Sequence, residues 1–191
     1  MRQFIRLADK LPSSQIYGPG HRFVIWVQGC SLECPGCWNR DFWSVEAGYT
    51  MDVDLLISEI SDTDDINGLT ILGGEPLEQP ESVLKLIQSV KKIGLTVMLY
   101  SGYEENELNE LQLKCLNSSD IVIMGRYVAS LRDTGLRWRG SSNQKIKMIS
   151  DVYQNIDINE QEEVEITIGQ DGKVSLAGYP QKWLLDALND I

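Results

Sequence analysis

The chain has 191 residues, long enough for one substantial hydrophobic core and short for two, and its 42% hydrophobic and 24% charged residues are those of an ordinary globule. A formal net charge of −11 argues against a nucleic-acid partner, whose phosphates it would repel. No stretch approaches the roughly 20 apolar residues of a membrane span, and MRQFIRLADKLPSS lacks a signal peptide's apolar core, so a cytoplasmic protein with reduced thiols and no membrane partner is expected.

In chain order, RFVIWVQ (22–28) is β-branched and aromatic, bounded by GPG and Gly29, and predicts a buried strand. The next eight residues hold Cys30, Cys34 and Cys37. Asp52 is a candidate cap for a helix with Val53, Leu56, Ile57 and Ile60 on one face, and LTIL (69–72) predicts a strand ending at Gly73-Gly74. Pro80 suits a first helical turn, with Val83, Leu84, Ile87 and Val90 along one face before Gly94 stops the helix. A strand over 95–101, a helix across ENELNELQLKCL, and strands over 120–125 and 144–150 continue the alternation.

This rhythm implies parallel strands with right-handed crossovers, with active groups on the loops after their carboxyl ends. The unusual motifs fall there: the cysteine loop, GGEP and SGY. Residues 1–150 form the expected core, and 151–191 an accessory element in which VEITIGQDGKVSLAGYP predicts a hairpin and KWLLDALNDI a short helix.

Three cysteines within eight residues are no fold-wide disulfide framework, and an odd number cannot pair off among themselves, so a ligand set is expected ahead of a chance cluster of thiols. Structural zinc needs four ligands, and only Cys115 and the lone His21 remain. The spacing C-x3-C-x2-C favours an iron–sulfur cluster over zinc; a cubane on three thiolates leaves one iron without a protein ligand. Cys115, on an apolar stripe with Leu108 and Leu111, reads as a core thiol, and His21 as a turn or surface residue.

The stretches YGPGHRFVIWVQGCSLECPGCWNRDFW, GGEPLEQP, YSGYEENEL and WRGSSNQK resemble, in order, the radical S-adenosylmethionine (SAM) enzymes, and within them the activases of glycyl radical enzymes. The resemblance implies a partial (β/α) barrel, a [4Fe–4S] cluster on Cys30, Cys34 and Cys37, and SAM chelated to the fourth iron, cleaved reductively to a 5′-deoxyadenosyl radical. It places Gly73, Gly74, Glu75 and Pro76 at the SAM amino group, and Asn39, with Trp38 beside it, near the cofactor. Ser101 and Gly102 are then expected SAM contacts at a strand end, and Ser142 and Asn143 of GSSNQ at its carboxylate or ribose. Trp38, Trp43 and Trp138 suit a cleft wall or packing about the cluster. Gly36 before the third cysteine narrows the match to the activases, whereas Met124 stands where they usually have an acid.

The partner so implied is a large glycyl radical enzyme such as anaerobic ribonucleotide reductase, with a flavodoxin or ferredoxin as reductant. From Arg126 to Lys147 six basic residues face one acid, and from Asp151 onward nine acids face two bases. Two readings of the basic segment follow: a rim that steers an acidic partner, or a solvated face with residues holding SAM. Rival functions are a radical SAM enzyme acting on a small molecule or ribosomal peptide, and a zinc- or cluster-bearing interaction module without catalysis.

Overall fold

In the computed structural model the described residues are 2–158, 164–169, 172, 174–178, 184 and 186. Their centre is a seven-stranded sheet in the order β3-β1-β2-β4-β5-β6-β7. Strands β2 (Arg22–Val27), β4 (Gly68–Gly73), β5 (Thr96–Ser101) and β6 (Ile121–Met124) run parallel, in registers such as Val27 opposite Gly73 and Ser101 opposite Met124. The flanks are antiparallel: β1 (Phe4–Ser14) pairs β2 and β3 (Tyr49–Asp52), and β7 (Lys145–Met148) pairs β6.

The three expected helices form for the expected local reasons. Helix α1 (Val53–Ser61) is capped by the Asp52 side chain, which accepts from the Asp54 amide at 2.8 Å. Helix α2 (Pro80–Lys92) opens on proline, buries Val83, Leu86, Ile87 and Val90, and is followed by Gly94 at φ +86°. Helix α3 is Glu110–Ser118, shorter than the sequence suggests, because Asn109 caps it by accepting from Leu111 and Gln112 while Glu105–Glu107 form a separate 3-10 turn.

Strand alternation divides the core. Ile5, Phe23, Ile25, Ile71, Val97, Leu99 and Val122 pack with the helices, whereas Met98, Ile121 and Ile123 lie on the opposite face under Trp138, Tyr153 and Ile156. One face of the sheet is therefore covered by helices and the other by loops.

Two features depart from the expected alternation. β1, unmarked in the sequence reading, buries Ile5 and Leu7 and inserts between β2 and β3. β7 is antiparallel to β6, because a parallel return needs a crossover the length of a helix, and 125–144 holds only a three-residue 3-10 turn. That segment stays at the carboxyl end of β6. Among the described residues the sheet is open, with β3 and β7 as edges, so the fold is mixed α/β with a parallel centre and shows no closed barrel.

The expected hairpin is present as β8 (Val164–Ile168) and β9 (Val174–Gly178) in antiparallel register, Val164 opposite Gly178. The expected terminal helix lies largely outside the described residues; Leu184 and Asp186 within it are helical.

Candidate cofactor site

The cysteine loop is stitched down at its base by backbone. Gly29 and Cys30 amides donate to the Phe42 and Trp43 carbonyls at 2.9 and 3.0 Å, and the Glu75 amide donates to Gly29 O at 2.8 Å. Gln28, 4% exposed, donates its side-chain amide to the Asp41 and Ser44 carbonyls, so the loop's exit strand is clamped too. Ser31 crosses to the next loop, donating from its amide and hydroxyl to Glu78.

GGEP follows β4, and its glycines are required by the fold itself. A Cβ on Gly74 would stand 2.2 Å from Gly29 O, and one on Gly73, at φ +115°, 2.5 Å from Val27 N. The sequence-based role of these glycines, letting carbonyls approach a cofactor, is thus preceded by a packing role between β2 and β4. Glu75 is 1% exposed. Its Oε1 accepts from Ser101 Oγ at 3.0 Å and Leu77 N at 2.9 Å, and its Oε2 from Gly102 N at 2.7 Å. Burial pushes its carboxyl up to about 7 against those hydrogen bonds. Ser101 Oγ also accepts from Tyr103 N at 3.1 Å, so its one proton and one of its two lone pairs are engaged inside the protein.

Ten of the expected site residues line one cavity of about 240 Å³ at the carboxyl ends of β2, β4 and β5: Cys30, Cys34, Cys37, Trp38, Asn39, Gly73, Gly74, Glu75, Ser101 and Gly102. Pro76, buried in a 3-10 turn, Ser142, exposed, and Asn143 stand outside this lining. Asn143 instead donates to Arg126 O at 2.8 Å. Desolvation raises the Cys30 thiol to about 11 and the Cys34 thiol in the same direction. Cys115 is fully buried, its thiol donating to Pro80 O and raised to about 12, apart from the cavity.

The far wall comes from the segment after β6. Arg132, Arg137, Trp138 and Arg139 line the cavity, and the two arginines nearest the tryptophans stack on them: Arg132 over Trp38 at 4.9 Å and Arg137 over Trp138 at 4.8 Å. Trp138 takes φ +59°, a sparsely populated conformation for a side chain of that size. Of the six basic residues, Arg126, Lys145 and Lys147 are ion-paired to Glu107, Glu104 and Glu105. Half of the basic segment is therefore neutralised, and the other half faces the site. WRGSSNQK carried the signal for Arg139, and Tyr17 and Tyr100 open two of the matched stretches without having been singled out; nothing local marked Gly178, which also lines the cavity.

The donor set fits a polynuclear cluster. The three sulfurs share one cavity, yet among the described residues no three His, Cys, Asp or Glu side chains converge to hold one metal ion. A cubane sets each thiolate on a different iron, so convergence on a point is not required. In the wall, Trp43 Nε1, Trp138 Nε1 and Arg139 Nε are buried without an acceptor, a cost of about 1–3 kcal/mol each that an acceptor-bearing ligand would remove. SAM, with its carboxylate and ribose, is such a ligand.

A family model described as a 4Fe-4S single cluster domain matches residues 16–147. The anaerobic ribonucleoside-triphosphate reductase-activating protein of Salmonella typhi is 35% identical over 151 residues, covering 74% of this chain and 97% of that one. Its namesake in Escherichia coli K12 is 35% identical over 143 residues, covering 71% and 93%. The crystal structure of QueE from Escherichia coli aligns over 52% of each chain at 16% identity and a TM-score of 0.44.

Proposed function

This chain belongs to the anaerobic ribonucleoside-triphosphate reductase-activating proteins, radical SAM enzymes whose cofactors are a [4Fe–4S] cluster and SAM, and from that premise we propose that it installs a glycyl radical on a partner reductase. The observation that carries the reading is the convergence of the three cysteines with the GGEP and SGY loops on one cavity. We read the open sheet as a partial (β/α) barrel whose loop-covered face is the barrel's interior.

When bound and reduced, the cluster would supply the electron for reductive cleavage of SAM to methionine and the radical that takes a hydrogen atom from the substrate. Cys30, Cys34 and Cys37 would hold the cluster. Gly73, Gly74 and Gly102 keep the loops close enough to form one pocket, and Glu75 ties them together. Asn39 and the Arg132–Arg139 wall orient SAM's polar groups, while Trp43 and Trp138 exclude water. A cytoplasmic setting and a flavodoxin or ferredoxin as electron donor complete the proposal.

The test is anaerobic: reconstituted chain, SAM, dithionite and an anaerobic ribonucleoside-triphosphate reductase. A glycyl doublet in the electron paramagnetic resonance spectrum of the reductase, with 5′-deoxyadenosine formed, is expected. Deoxyadenosine without a doublet would redirect the chemistry to a small molecule or peptide.

A further inference from the structure

A second, polar depression of about 610 Å³ lies beside the cofactor cavity, lined by Gln15, Gly18, Gly20, Val164 and Glu165, with Ile16 and Arg137 shared between the two. Through those two residues the groove is continuous with the site. One wall is the 15–20 loop and the other is β8, which lies beyond the span matched by the family model.

Val164 and Glu165 are consecutive in β8, so their side chains point to opposite faces. Both line the groove. They are the first two residues of the strand, so the groove meets β8 at its amino-terminal end, where backbone N–H and C=O groups are presented. Among the described residues β8 pairs only with β9, so one of its two edges has no strand partner. The register sets Val164, in the groove, opposite Gly178, in the cavity wall, so the open end of the hairpin stands where groove and cavity meet. Ser14, fully buried at the end of β1, donates to Glu165 and holds the hairpin there, and Arg137 donates to the Asp157 carbonyl just before it.

We infer that this groove seats an extended polypeptide segment of the protein substrate, paired by backbone to the edge of β8 and led past Ile16 and Arg137 into the cavity. The inference rests on the proposed action on a protein partner. The groove's side chains are few and mostly polar, as suits main-chain recognition rather than a buried apolar ligand.

The experiment uses the full reconstituted chain and the reductase. Gln15 is exposed, so Gln15→Trp fills the groove without burying a polar group, and Val164→Trp fills it from the other wall. Each is expected to raise the reductase concentration needed for half-maximal glycyl radical formation by roughly tenfold, with dithionite-driven SAM cleavage in the absence of reductase unchanged. Hydrogen exchange at 164–168 should slow roughly tenfold when reductase is added to the wild-type chain. If activation proceeds and both variants match wild type with no added protection at 164–168, the groove is overturned alone. If the wild-type chain cleaves SAM yet never radicalises the reductase, the protein-partner reading fails and the groove falls with it.

Discussion

The buried carboxylate of Glu75 accepts the hydroxyl of Ser101 at 3.0 Å, joining the loop after β4 to the loop after β5. A residue of the SAM motif thereby holds the site's walls together, and Ser101, in the cavity lining, is tied to it. Removing the acceptor strands Ser101 Oγ, Gly102 N and Leu77 N. Glu75→Ala should lower the urea-unfolding free energy by about 2–4 kcal/mol, and a loss under 1 kcal/mol would contradict the tie.

The same carboxyl gives a pH signature. Its folded value of about 7 lies above its ordinary 4.5, so the stability it contributes is fully present below about pH 4.5 and is lost as pH rises through about 7. Between those limits the cofactor-free chain should lose roughly 3 kcal/mol relative to Glu75→Gln, which does not titrate there. Urea midpoints of the two proteins that move in parallel with pH would refute it.

Cluster loading separates the cysteines. After anaerobic reconstitution the wild type should carry about four irons and four sulfides, and Cys30→Ala, Cys34→Ala and Cys37→Ala should each lose the visible absorbance. Cys115→Ala should keep it at a stability cost of about 1 kcal/mol, since Cys115 is a core thiol under α2. Stoichiometric zinc in anaerobic material would count against the cluster.

Gly74 provides a sharper test than its motif suggests. Because its Cβ would meet Gly29 O, the residue before Cys30, Gly74→Val should impair iron incorporation and SAM binding together. Normal iron content with SAM binding alone lost would show that the close approach is dispensable.

The basic segment divides in two. Lys147 is paired with Glu105, so Lys147→Glu should change partner activation at low ionic strength by no more than about twofold. Arg132, in the cavity wall over Trp38, should behave differently: Arg132→Glu should reduce SAM cleavage even without partner, and added salt should not restore it. A defect for Lys147→Glu that closes with salt would reinstate electrostatic steering of an acidic partner.

Arg22 carries a structural expectation. Fully buried at the start of β2, it donates to the Pro19, Leu69 and Thr96 carbonyls and to the Thr70 and Thr96 hydroxyls. Arg22→Met leaves those acceptors dry, and thermal or urea unfolding should report a loss of about 3 kcal/mol or more.

Local chemistry was legible in the residues alone. The cysteine spacing, the β-branched run before it, the Asp52 and Pro80 helix starts and the glycine-bounded strand ends are signals carried within a few residues, and so the parallel centre and the loops that line the cavity could be read from them, while the cofactor contacts on those loops were expected from the family resemblance. What only the tertiary structure decided depends on residues far apart in the chain. β1 joined the sheet because Ile5 and Leu7 bury against elements many residues away, and β7 turned antiparallel because 125–144 lacks a helix to carry the chain back. Half of the basic run is ion-paired to Glu104, Glu105 and Glu107, which no reading of the run could foresee. Likewise Glu75 met Ser101, and Gly178 reached the cavity wall, through contacts between separate loops and strands. Periodicity and spacing encode which face a residue presents; which partner meets that face is settled only when the chain closes on itself.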